Sequence, residues 1–286
     1  MATVTALRVP FRDYPLAVTE YTPVRPDSTP DRVLLINSAT GVPQGYYRPF
    51  SQFMAESGYR VYTYDYGGMN LSRAGRAQDA RVTMLQWGTH DLASLLNWVA
   101  ERHPRASIHC IGHSVGAQLV GLAENNYRIE RLLSVAGQAG YWRLWRGANR
   151  VKAWMTFFVL VPLLTELYGY LPKFVLGSCE LPYGVARQWA RWCRHPDFIV
   201  DLEGKPIRQY FRAYRGKILF YSFADDRLFA PRRAVDELSR YYCNARIERR
   251  HIGRDESGNE AVGHFGFFRP QFKSSLWREA LTWLAR

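Results

Sequence analysis

Apolar residues fall along this chain in two alternating rhythms. Some form short unbroken runs, and others recur every three or four positions over longer stretches. RVLLINSA (32–39), YRVYTYDY (59–66), ASIHCI (106–111), RIERLLSVAG (128–137) and KILFYSFADD (217–226) read as strands, most of them buried on both faces. ARIERRHI (245–252) reads as a last strand, and TALRVPF (5–11) with PLAVTEYTP (15–23) as an antiparallel edge hairpin. The helical rhythm occupies 49–59, 82–104, 117–126, 231–242 and 274–285, with Gly58 and Pro104 as stop signals. TPVRPDSTPDR (22–32) is a proline-rich turn. Strands alternating with helices predict an α/β fold: a mostly parallel, eight-stranded sheet with helices on both faces.

The rhythm breaks after about Tyr141 and resumes near Arg215, an interval too long for a simple crossover. This divides the chain into a core of residues 1–140 and 214–286 and an inserted helical cap of residues 141–213. The insert contains AWMTFFVLVPLLTELYGYLP (153–172), long and apolar enough to raise the question of a membrane span. Pro162, Glu166 and the flanking glycine and proline argue against one, and a single crossing here would split the sheet across a bilayer. An apolar inner face of a cap is a natural roof for a hydrophobic substrate. Trp154, Phe157, Phe158 and Leu164 are the expected contacts.

The chemistry centres on GHSVG at Gly112–Gly116, between the ASIHCI strand and a helix. In this strand–turn–helix context, G-x-S-x-G puts Ser114 at the tip of a strained turn, its hydroxyl facing solvent at a helix N-terminus. A serine hydroxyl needs a base to attack, and the base needs an orienting carboxylate. Both follow in the expected order, each just past a strand end, where open α/β sheets place their sites. Asp225 and Asp226 end one strand, and His264 lies in VGHFGFFRP before the final helix.

With these residues the chain resembles the α/β-hydrolase superfamily, closest to bacterial serine-hydrolase-like members. The resemblance is carried by ATGVPQGYY (39–47), YRVYTYDYGG (59–68), GHSVG, LPYGVARQWARWCRHP (181–196), FADD (223–226) and GHFGFF (263–268). It implies Ser114 as nucleophile, His264 as general base and Asp226 as the acid, with Asp225 the close alternative. The oxyanion donors would be the N–H of Val115 and one from the loop after RVLLIN, Ala39 first and Thr40 next. Many relatives carry His-Gly in that loop, where this chain has Ser38, Ala39, Thr40 and Gly41. Gly67 and Asn70 depart from the usual pattern after Asp65-Tyr66.

Composition adds bounds rather than direction. The 286 residues, 47% of them hydrophobic, suffice for one large domain with an insert. A net charge of +13, spread along the chain and mostly from arginine, fits a solvated surface better than a nucleic-acid site; a membrane surface is not the favoured partner. The N-terminal stretch lacks a signal-peptide pattern, and Cys110, Cys179, Cys193 and Cys243 lack metal or redox spacing, so reduced thiols in the cytoplasm are expected. No metal motif or dinucleotide fingerprint appears, so no cofactor is expected. His113 should pack beneath the turn and His109 in the core, and His251 is the one rival base. The leading reading is a serine hydrolase acting on a small hydrophobic carboxylic ester, with thioester, lactone and amide left open. The alternatives are an acyltransferase with the same triad and a catalytically silent binding protein of this fold. A serine at the elbow argues against haloalkane dehalogenase or epoxide hydrolase chemistry.

Overall fold

The computed structural model describes residues 2–11, 14–23, 32–77, 81–176, 179–258 and 260–286. Its main sheet has eight strands: β1 (Thr3–Pro10), β2 (Pro15–Thr22), β3 (Arg32–Asn37), β4 (Arg60–Tyr64), β5 (Ser107–His113), β6 (Ile129–Val135), β7 (Lys217–Phe223) and β8 (Arg246–Ile252). Their spatial order is β1-β2-β4-β3-β5-β6-β7-β8. β3 to β8 run parallel, and β1 and β2 add an antiparallel edge. The central strands β3, β5, β6 and β7 are buried almost throughout, which requires helices on both faces. β8 is largely exposed and carries Arg246, Glu248, Arg249 and Arg250, charges that guard an open edge against pairing with another chain. Most of the proline-rich turn expected at 22–32 lies outside the described residues.

Seven of the helices flank the sheet or build the insert: α1 (Arg48–Glu56), α2 (84–102), α3 (Val115–Val120), α4 (Gly147–Tyr168), α5 (Tyr183–Arg194), α6 (Arg232–Tyr241) and α7 (Leu276–Ala285). A reciprocal capping box starts α2, Thr83 with Gln86. α3 is shorter than the 117–126 rhythm predicts. At Gly121 a Cβ would sit 2.1 Å from the Phe211 ring, and Asn126 Nδ2 caps the Val120 carbonyl at 2.9 Å. Close approach of Phe211 and this side-chain cap end the helix where periodicity alone would carry it on.

Between β6 and β7 the chain leaves the sheet. α4 and α5 pack side by side there, with Phe157 edge-on to Trp189 at 5.1 Å, and Tyr170–Leu171 pairs with Leu181–Pro182 in a short antiparallel ribbon. α4 includes a π-helical turn at Thr156–Leu160, which shifts the phase of its faces.

Candidate active site

β5 ends in a tight turn that leaves no room for a Cβ at two of its positions. Ser114 has φ 54° and ψ −116°, a strained conformation for a non-glycine residue. At Gly112 a Cβ would lie 2.4 Å from Ala117, and at Gly116 it would lie 2.3 Å from the Asn37 carbonyl oxygen. Both glycines are therefore fixed by close backbone approach. The Ser114 N–H donates to the Val135 carbonyl at 2.9 Å, and Asn37 Nδ2 donates to the Gly116 carbonyl at 3.1 Å, pinning the turn to β6 and β3.

The loops after β7 and β8 bring the other two groups. Asp226 and His264 are buried, with His264 Nδ1 2.6 Å from Asp226 Oδ2. The second Asp226 oxygen accepts the N–H groups of Phe229 and Ala230, each at 3.1 Å. Asp225 points elsewhere: its carboxylate accepts the Gly263 N–H at 2.9 Å and so shapes the loop that presents His264. Ser114 and His264 line one cavity of about 260 Å³. They form no direct hydrogen bond with each other. The Ser114 hydroxyl lies 3.5 Å from both amide atoms of Gln138, a residue in the loop after β6. Hydrogen bonds within a serine–histidine pair are often long or unformed before a substrate binds.

The loop after β3, expected to supply an oxyanion donor, differs from expectation. The Ala39 N–H donates to the Tyr47 hydroxyl at 2.8 Å, so that donor is already spent in the interior. The Thr40 N–H has no acceptor among the described residues, and Thr40 lines the cavity. Val115 opens α3, so its N–H has no intrahelical acceptor and faces the same space. Gly41, at φ +74°, lets the loop turn back here.

Beneath the elbow runs a chain of buried polar groups. His113 Nε2 lies 2.8 Å from the His264 carbonyl, and its Nδ1 lies 2.9 Å from the Tyr47 hydroxyl. A carbonyl only accepts, so Nε2 carries the proton and Nδ1 receives the Tyr47 hydrogen. Burial, with the nearby His264, holds His113 well below the usual histidine range, which keeps it neutral for this role. Ala39, Tyr47, His113 and the His264 backbone thus form one relay from the loop after β3 to the segment that carries His264. Tyr46 adds a parallel tie, its hydroxyl donating to the Phe265 carbonyl at 2.6 Å.

The insert supplies the far wall. Asn149, Lys152, Ala153, Thr156, Phe157 and Leu160 of α4 line the cavity, joined by Trp189 and Cys193 of α5. Of the four aromatic and aliphatic contacts expected from sequence, only Phe157 is among the lining residues. Trp154 and Phe158 stack on each other at 5.5 Å on the outer face, 39% and 37% exposed. Leu164 packs partly buried against the core, away from the cavity. The reason is helical phase: the inward stripe runs 149, 152, 153, 156, 157 and 160, and Trp154 and Phe158 fall outside it. Trp145, Gln118, Gln138, Phe198 and Phe229 also line the cavity, unanticipated from sequence. Gln118 lies within α3 and Gln138 just past β6, both recognisable elements, but their residue type carries no signal. Cys193 is buried with its thiol pushed well above the usual range by burial, so it offers no competing thiolate.

His109 and His251 lie outside the cavity. His109 Nδ1 meets the Tyr59 hydroxyl at 3.2 Å, and burial pushes it down to about 4. His251 on β8 meets Ser222 Oγ at 2.9 Å and is not part of the cavity. Among the described residues no three His, Cys, Asp or Glu side chains come together as a metal site.

Comparison with known proteins agrees with this architecture. A family model described as serine aminopeptidase, S33, matches residues 28–168, which include Ser114 but stop short of Asp226 and His264. The fold is similar to a soluble variant of monoglyceride lipase from Saccharomyces cerevisiae, with TM-score 0.69 and 13% identity, covering 100% of this chain and 95% of that one. It is similar to an esterase from Pyrococcus furiosus, with TM-score 0.66 and 14% identity over 100% and 91% of the two chains. A carboxyl esterase from Bacillus coagulans gives TM-score 0.62 and 13% identity over 99% and 98%. No curated protein matches the chain in sequence. At these identities the structural likeness speaks for the fold. With the family-model match over nearly half of the chain, it shows the fold of the α/β-hydrolases.

Proposed function

We propose that the protein is a serine hydrolase that cleaves carboxylic esters with a small hydrophobic acyl group, through a covalent acyl-enzyme. The observation that carries this reading is the His264–Asp226 contact at 2.6 Å in a buried setting, with His264 and the strained Ser114 opening onto one mostly apolar cavity. The esterase and lipase neighbours are in keeping with it. Substrate entry turns the Ser114 hydroxyl from Gln138 toward His264. His264 Nε2 takes the hydroxyl proton as Oγ bonds to the carbonyl carbon, and Asp226 stabilises the imidazolium and holds its orientation. The carbonyl electron pair moves to oxygen, held by the N–H groups of Val115 and Thr40. Collapse breaks the bond to the alcohol oxygen, which leaves with the proton from His264. Water then repeats the sequence on the acyl-enzyme and frees the acid. Residues 141–213 act as the cap over this site.

The test is turnover of a p-nitrophenyl ester series from acetyl to decanoyl. Each buried methylene adds about 0.8 kcal/mol until the cavity is full. kcat/KM should therefore rise over the short chains and then level off. A flat profile, or turnover and fluorophosphonate labelling that persist in Ser114→Ala, would overturn the assignment.

A further inference from the structure

α4 presents two different faces. Its inner stripe walls the cavity, and Ala153, Phe157, Val161 and Thr165 are buried. Its outer face is apolar and bare: Val151, Trp154, Met155, Phe158, Leu163 and Leu167 are all exposed. Only 17% of the apolar window of this 22-residue helix is buried. From Ala153 to Thr165 no residue carries a charge. A bare apolar surface of this extent on a soluble domain marks a site that something covers.

The charges around it are mostly positive. Arg143, Arg146, Arg150 and Lys152 precede or begin the apolar stretch, and Arg194 of α5 lies over the Phe158 ring at 5.6 Å. Between residues 141 and 196 the only acidic residues are Glu166 and Glu180, paired with Arg187 and Arg73. At the N-terminal end of α4 a separate groove is lined by Arg146, Arg227, Arg232, Arg233 and Arg240, with Asp236 and Glu237 offsetting part of that charge. We propose that α4 docks the protein onto the surface of an anionic lipid bilayer, its outer face sunk among the acyl chains and the arginines at the headgroups. An apolar strip rimmed by arginine fits that partner in both respects.

Docking is in the plane of the surface. α4 is held along α5 through Phe157 against Trp189 and through Glu166, which pairs with Arg187 and accepts the Tyr183 hydroxyl at 2.8 Å. Crossing the bilayer would strip these contacts and expose Asn149, Lys152 and Thr156 to hydrocarbon. Spread over the sequence, the positive charge gave no reason to favour a membrane; the outward apolar face supplies it. Leu160 both lines the cavity and is partly exposed, so the docked face adjoins the cavity wall.

The experiment is vesicle flotation of the full chain. One set of vesicles is pure phosphatidylcholine and the other contains about one quarter phosphatidylglycerol. The protein should float with the anionic set, and less so as salt rises. Leu163→Asp with Leu167→Asp, at positions 60% and 71% exposed, should weaken binding more than about tenfold. Arg146→Gln should weaken it about fivefold. Val151→Asp is a second apolar test, and circular dichroism melting that matches the wild type shows that each variant folds. Failure of the wild type to float would overturn the proposal. So would flotation undiminished by the leucine variant, which is adhesion of a basic protein and no more. A dimer in sedimentation that the leucine variant dissolves would assign the face to a second copy instead. None of these readouts uses catalysis, so the result stands apart from the hydrolase reading.

Discussion

At the scale of residues, the site rests on who holds whose proton. Asp226, not Asp225, touches His264, so the two adjacent carboxylates should respond unequally to substitution. Asp226→Asn should cut kcat by about three to four orders of magnitude, by analogy with triads in which the orienting acid is neutralised. Asp225→Asn should cost far less. Steady-state kinetics on one ester decides it, and a larger loss at Asp225 would reverse the assignment. Tyr47→Phe tests the relay beneath the elbow. It leaves the Ala39 N–H and His113 Nδ1 without partners in a fully buried place. A loss of about 1–3 kcal/mol of unfolding free energy in urea is expected, with kcat lowered more than KM is raised. Unchanged stability would mean that water or a shifted loop satisfies both groups. The order Ser, Asp, His could be read from the sequence because each follows a recognisable strand. The Ala39–Tyr47 bond could not, because nothing local to residue 39 reports a tyrosine hydroxyl arriving from the next helical turn.

At the scale of elements, the strands were legible and the faces of α4 were not. β3, β5, β6 and β7 announce themselves as apolar runs because both their faces are covered. α4 is apolar nearly all round over its second half, so periodicity cannot say which side meets the cavity, and the π turn at Thr156–Leu160 moves the phase again. The structure separates residues that the sequence groups together. Phe157 should therefore behave unlike its neighbours Trp154 and Phe158. Phe157→Ala opens the cavity wall and removes the ring that meets Trp189. It should cost about 3 kcal/mol or more in stability and move the optimal acyl length upward. Trp154→Ala, on the outer face, should leave kcat/KM for a water-soluble ester within about twofold, as surface changes away from a site usually do. Equal effects from the two would mean that the outer face also closes over substrate in solution.

At the scale of the whole molecule, buried titratable groups set how stability depends on pH. His109 sits in the core beside Tyr59, with Glu130, Arg131 and Arg32 as its charged neighbours, and burial lowers it from 6.5 to about 4. Below pH 6.5 the unfolded chain protonates this histidine and the folded chain does not, until about pH 4. Stability therefore falls as pH drops through that window, by on the order of 2 kcal/mol at about pH 5. His113 is lowered for the same reason and acts in the same direction. Asp91 opposes them. Burial raises it to about 6, while the Tyr14 hydroxyl and the Gly67 N–H donate to it at 2.6 and 2.7 Å. Its raised value means that the folded state takes up its proton first, which adds on the order of 1 kcal/mol between about pH 7 and about pH 5. Asp65 is also raised by burial and His251 lowered by it, so three histidines stand against two carboxylates, and the melting temperature should fall by a few degrees over that interval. His109→Phe removes one of the three and should flatten the slope, whatever it does to the midpoint at neutral pH through the lost Tyr59 contact. A melting temperature that holds or rises on acidification would show that His109 and His113 are protonated within the folded core, and with His113 charged the relay to the His264 carbonyl would have to be redrawn.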